Sequence, residues 1–108
     1  MGYLIYANTA EYEIEDRTLS HVKVAVVAKL RRQESFLLSW GPTSSDGSGR
    51  ISLWLSPSIP LQFRFSGSRA PELNPAWLQA LAHSANGTRG MIVMTEKEAE
   101  LYLNQATP

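Results

Sequence analysis

His21 and His83 are the side chains best suited to moving a proton near neutral pH. Each is isolated in the sequence, and each falls inside a predicted helix. A lone helical histidine packs or faces water far more often than it catalyses. The chain has no cysteine, so disulfides and thiolate nucleophiles or metal ligands are excluded. No G-x-S-x-G stretch offers an activated serine. Glu11, Glu13 and Glu15 share one face of a predicted strand, where they would either face water or meet a cation. A metal site needs clustered His or carboxylate ligands, so the expectation is a solvated edge with no metal and no cofactor. "SSDGSG" has glycines that let backbone amides approach an anion. It lacks G-x-x-x-x-G-K-[ST], and no helix follows it, so it reads as a loop.

The constellation with most to offer is on "RISLWLSPSIPLQFRFSGSR", residues 50–69. Ile51, Leu53 and Leu55 alternate with Ser52, Trp54 and Ser56. Leu61, Phe63 and Phe65 alternate with Gln62, Arg64 and Ser66. If the aliphatic and phenyl residues face the helices, Trp54 and Arg64 share the opposite, polar face. An aromatic and an arginine on such a face could stack and hydrogen-bond a nucleobase. Arg50, Arg69, Arg31 and Arg32 would then supply phosphate contacts. The same pair could anchor a second protein chain, because interface cores favour Trp and Arg. A third possibility is cover from within, by residues 3–15 or by the terminal helix.

The elements that must position these residues follow from hydrophobic spacing. "YLIYANTAEYEIE" reads as a hairpin with its turn at Asn8-Thr9, Tyr12 and Ile14 pointing inward. "DRTLSHVKVAVVAKLRRQE" is ambiguous. Leu19, Val22, Val26 and Leu30 follow helical spacing, whereas Val22, Val24 and Val26 alternate like a strand. Its length without Gly or Pro favours a helix over about residues 17–33, with Asp16 as N-cap. Residues 35–40 form a third strand. "GPTSSDGSG", residues 41–49, is a loop. Residues 50–56 and 60–66 are the fourth and fifth strands, separated by a turn with two prolines that ends pairing there. "NPAWLQALAHSANG", residues 74–87, is the clearest helix, capped by Asn74 with Pro75 at its first position and closed by Asn86-Gly87. Its stripe is Trp77, Leu78, Leu81, Ala82 and Ala85, with Trp77 expected between helix and sheet beside Leu81 and Phe63. "GMIVM" is a sixth strand. Thr95 and Glu98 form a capping box for a short C-terminal helix over 96–104. The order β-β-α-β-β-β-α-β-α describes an α+β domain, a mainly antiparallel sheet with helices on one face. Residues 1–108 are expected to be one domain with its core in 1–94.

Net charge is zero, but the charges are segregated. Residues 11–16 hold four acids, residues 17–89 hold nine Lys/Arg against three acids, and residues 96–100 carry a net of −2. A basic middle between acidic ends is compatible with an anionic partner. With 44% hydrophobic and 19% charged residues the composition is that of an ordinary globular domain. No signal peptide is visible, no apolar run approaches the ~20 residues of a membrane span, and a cytoplasmic protein is expected.

"DRTLSHVKVAVVAKLRRQESFLLSW" and "LWLSPSIPLQFRFSGSRAPELNPAWLQAL" resemble a family of small uncharacterised actinobacterial proteins of about this length. The resemblance covers roughly residues 1–94, and the stretch after Met94 is longer than the usual family ending. Members often carry the label "ATP-dependent DNA ligase", so the resemblance implies that activity. Ligases of that kind attach AMP to the lysine of a K-x-D-G motif. Here Lys23, Lys29 and Lys97 open no such motif, and Asp46-Gly47 has Ser44 at the lysine's place. The expectation is therefore a non-catalytic domain acting by protein–protein contact, first as a homo-oligomer through a sheet face. The alternatives are a nucleic-acid-associated module and the ligase.

Overall fold

A computed structural model describes residues 1–41 and 49–106 of the chain. Most of the loop expected at 41–49, including Ser44 and Asp46-Gly47, lies outside the described residues. The elements are β1 (Gly2–Tyr6), β2 (Ala10–Ile14), α1 (Asp16–Arg31), β3 (Phe36–Trp40), β4 (Ile51–Leu55), β5 (Leu61–Arg64), α2 (Pro75–Ser84), β6 (Met91–Ile92) and α3 (Glu96–Ala106). The α+β class and the order β-β-α-β-β-β-α-β-α are as the spacing implies.

β1 and β2 pair antiparallel with Leu4 opposite Tyr12. Their turn sits one residue earlier than expected. Ala7 and Asn8 are its central residues, with φ of 54° and 61°, and the Thr9 N–H donates to the Tyr6 carbonyl at 3.0 Å. Two left-handed residues in sequence make a type I′ turn, whose twist matches that of the flanking strands.

α1 settles the ambiguity of residues 22–26. Val22 and Val26 are fully buried while Val24 is 37% exposed; a strand would have put all three on one face. Glu15, rather than Asp16, is the N-cap residue. The Asp16 carboxylate instead accepts from the Ser66 and Gly67 backbone N–H groups, at 3.2 and 2.9 Å. Amides outside the helix have captured the side chain that would have capped it. The helix stops at Arg31, and Gln33 follows in the left-handed region at φ 62°, a common way for a helix to end.

The six strands divide into two three-stranded sheets, β2-β1-β5 and β4-β3-β6. Only β3 and β6 pair in parallel. β4 and β5 are therefore not partners. The segment with Pro57 and Pro60 carries the chain from one sheet to the other, and β5 pairs with β1 through Leu4 and Phe63. A side-chain bond stitches the sheets together at this corner: the Tyr6 hydroxyl donates to the Trp54 carbonyl at 2.7 Å. The Ala7 N–H donates to the Pro60 carbonyl at 2.9 Å, which extends the β1–β5 pairing by one residue.

The inner faces supply the core. Leu4 and Ile14 come from the first sheet, and Phe36, Leu38, Leu53, Leu55 and Met91 from the second. Leu19, Val22 and Val26 enter from α1, and Trp77, Ala80 and Leu81 from α2. The α2 stripe thus runs Trp77, Ala80, Leu81, Ser84; Ala82, expected inside, is exposed. Trp77 is 1% exposed. Its ring stacks on His21 of α1 at 4.0 Å, and its Nε1–H donates to the Met94 carbonyl at 2.9 Å. These contacts set it in the joint between α1, α2 and the segment entering α3, rather than simply between helix and sheet. Thr95 and Glu98 form the capping box reciprocally, at 2.8 and 3.2 Å. α3 extends to Ala106, and its Ala99, 2% exposed, packs into the core.

Candidate functional site

β4 is an edge strand, and its alternation places Trp54 on the outer face of the second sheet. Trp54 is 52% exposed, so neither residues 3–15 nor the terminal helix covers its ring. Its cross-strand neighbour is Leu37, which is half-buried, and the next pair on that face is Ser39 and Ser52. The Ser39 hydroxyl donates to the Arg89 carbonyl at 2.7 Å. That uses its single proton, so the Ser52 hydroxyl is the donor in the 2.9 Å contact between the two serines. The result is a neutral patch with one large aromatic, its hydroxyls already engaged.

Arg64 does not join it. It lies on β5, in the other sheet, opposite Tyr3. Its guanidinium stands 5.0 Å from the Tyr3 ring centroid and pairs with Glu11 Oε1 at 3.3 Å. The shared face needed β4 and β5 to be neighbours, and the proline turn separates them. Arg32 pairs with Glu34 at 3.1 Å. Arg31 closes α1, Arg50 precedes β4, and Arg69 lines a groove between α1 and the β5–α2 connection. The six candidate residues therefore sit on β4, β5, the C-terminal end of α1, and the connections before β4 and after β5.

A polar cluster that the sequence did not flag joins α1, α2 and α3. The Arg17 guanidinium donates to Glu96 Oε2 and to the Glu72 carbonyl, both at 2.9 Å. Asn74 Nδ2 donates to the same Glu96 oxygen at 2.7 Å. Asn74 Oδ1 caps α2, accepting from the Ala76 and Trp77 N–H groups. His21, fully buried, accepts from the Asn74 N–H at Nε2, 2.8 Å. That leaves Nδ1–H to donate to the Arg17 carbonyl at 2.8 Å. With both ring nitrogens engaged inside the fold, His21 works as a joint. His83 is exposed and bonds the Tyr102 hydroxyl at 2.6 Å. Glu11 and Glu13 face outward on β2, while Glu15 accepts from the Thr18 hydroxyl at 3.0 Å. Among the described residues no group of three His, Cys, Asp or Glu could hold a metal ion.

Several carboxylates in these contacts are held below their ordinary range. For Glu96 the bond from Asn74 is the largest cause, followed by Arg17. For Asp16 it is the Gly67 N–H, which outweighs the opposing effect of partial burial. For Glu34 it is the bond from Lys29. Groups depressed in the folded chain bind protons first in the unfolded one. The stability they lend is complete above the ordinary carboxylate range and is lost as pH falls through it towards the folded values. Tm is expected to fall on acidification below about pH 5, and Glu96→Gln is expected to flatten part of that fall. A Glu96→Gln chain with the full acid-side slope would show that the α1–α3 pairing is not coupled to folding.

Residues 1–96 match the family model of a domain of unknown function, DUF7882. No curated protein and no solved structure matches the chain.

Proposed function

The chain belongs to the DUF7882 family, and we propose that it acts by contact, as a homo-oligomer formed through the outer face of the β4-β3-β6 sheet with Trp54 as its anchor. The observation that carries this reading is a tryptophan 52% exposed on an edge strand whose inner face is already filled by Leu53 and Leu55. Burial of a tryptophan side chain in a second copy would remove a large apolar area from water, worth several kcal/mol at ~25 cal/mol per Å². A two-fold interface sets a patch against itself. Leu37, Ser39, Ser52 and Trp54 carry no charge, so that juxtaposition brings no like-charge repulsion.

Nucleic-acid binding is the second reading, and it is favoured by three of the six candidate residues, Arg31, Arg50 and Arg69, which have no carboxylate partner among the described residues. Against it, Arg64 and Arg32 are already paired with Glu11 and Glu34. Ligase activity has no support from the chain's lysines, none of which opens a K-x-D-G motif.

The test is sedimentation equilibrium on the wild-type chain and on Trp54→Ser. The wild type should have a multiple of the 12.0 kDa chain mass. Trp54→Ser should be a monomer with its melting temperature little changed, since surface substitutions usually stay within about 0.5 kcal/mol. A monomeric wild type would sink the proposal. If short oligonucleotides then raise its mass, with binding that weakens steeply in salt, the second reading stands.

A further inference from the structure

Between α1 and the segment from Phe65 to Leu73 lies an open groove of about 310 Å³. Its apolar lining includes Val24 and Leu73, 37% and 43% exposed. Such side chains are normally turned inward when a neighbour is within reach, and here both border the same hollow. The Lys23 ammonium stands 5.7 Å from the centroid of the Phe65 ring, which also lines it. Arg69 comes from the facing segment. Neither cation has a carboxylate partner among the described residues. The one acid in the groove, Asp16, already accepts from two backbone N–H groups and lies 3.9 Å from the terminal ammonium.

Ser20 adds an independent observation. It is only 9% exposed and lines the groove. No side-chain oxygen or nitrogen sealed from solvent lacks a partner among the described residues. The Ser20 hydroxyl has no partner among them, so it is not sealed from solvent and is free to donate to a ligand in the groove its residue borders.

We infer that this groove binds a small organic anion, with a phosphate or carboxylate head on a flat apolar body. The head takes the Ser20 hydroxyl together with Lys23 and Arg69. The body lies along Phe65, Val24 and Leu73. Charge-assisted bonds of this kind are the strong ones, and a concave apolar wall with a few convergent donors is the usual form of a ligand site. The inference stands independently of Trp54, which is on a different element and face.

Phenyl phosphate is a suitable probe, with inorganic phosphate and phenol as its two halves. Each would be titrated into the full chain and followed by backbone amide NMR. Phenyl phosphate should give saturable shifts centred on Ser20, Lys23 and residues 67–70. Each half alone should bind at least about tenfold more weakly. Lys23→Gln and Arg69→Gln should each weaken binding by about tenfold or more without moving the melting temperature, and Ser20→Ala should weaken it less. Equal binding of phenol would reduce the groove to an apolar cleft. Equal binding of inorganic phosphate would reduce it to surface cations. Shifts that do not saturate, or that centre elsewhere, would also overturn the inference.

Discussion

Trp77→Ala is expected to destabilise the chain by about 3–5 kcal/mol, the range for removing a large aromatic from a core. Small domains have roughly 5–15 kcal/mol in total, so the variant should unfold at a much lower urea concentration or fail to fold. The cost has two separable parts. One is the space left against His21, on which the indole stacks at 4.0 Å. The other is the Met94 carbonyl, which loses its 2.9 Å donor at the entrance to α3. Trp77→Phe separates them, since it keeps most of the ring and removes the N–H. Its expected cost is about 1–3 kcal/mol, that of an unpaired buried acceptor. Urea unfolding at fixed pH measures both. A Trp77→Ala chain that melts within a few degrees of the wild type would mean that the α1–α2–α3 joint does not stabilise the fold.

Gly90→Ala is expected to have a comparably large effect, for a reason of backbone rather than packing. Gly90 has φ +76°, and a β-carbon there would stand 2.3 Å from the Leu37 carbonyl oxygen and 2.6 Å from the Leu37 Cβ. Leu37 lies on β3, so no flexible side chain can yield. A left-handed non-glycine residue costs about 1–3 kcal/mol by itself. The overlap adds the cost of pulling β6 off β3, where Met91 opposite Leu38 is fully buried. Thermal melting should report the loss, and hydrogen exchange should show the Val93 amide, which donates to the Ser39 carbonyl of β3 at 2.9 Å, losing protection first. Gly87→Ala is the control. Its β-carbon would come no closer than 3.5 Å, to the Ser84 carbonyl, and it should cost little. If the two alanines melted alike, β6 would be a loose attachment.

What could be read from the chain was whatever neighbouring residues decide among themselves. Asn74-Pro75 starts α2, and Thr95 with Glu98 starts α3, because a cap satisfies N–H groups only two or three residues away. Leu19, Val22 and Val26 name the buried face of α1, because 3.6-residue periodicity is local. The outward direction of Trp54 follows from Leu53 and Leu55 pointing in, since successive strand residues face opposite ways. In each case the interacting groups lie within a turn or two of one another.

The tertiary structure decided which strand lies beside which, and with it the site. Backbone N–H and C=O groups are the same on every strand edge. The alternation of β4 and β5 is equally compatible with their pairing together and with each joining a different sheet. The choice went to β1 for β5 and β3 for β4, and this moved Arg64 to Glu11 and Tyr3, away from Trp54. Arg17 meets Glu96 across 79 positions of sequence, and Asn74 reaches His21 across 53. No spacing rule spans such distances. Nothing in the spacing singles out Lys23 or Ser20, because the wall opposite them, Phe65 to Leu73, is an irregular segment with no period to read. Periodicity reports which face of an element is apolar. Only packing brings two such faces together and leaves a hollow between them.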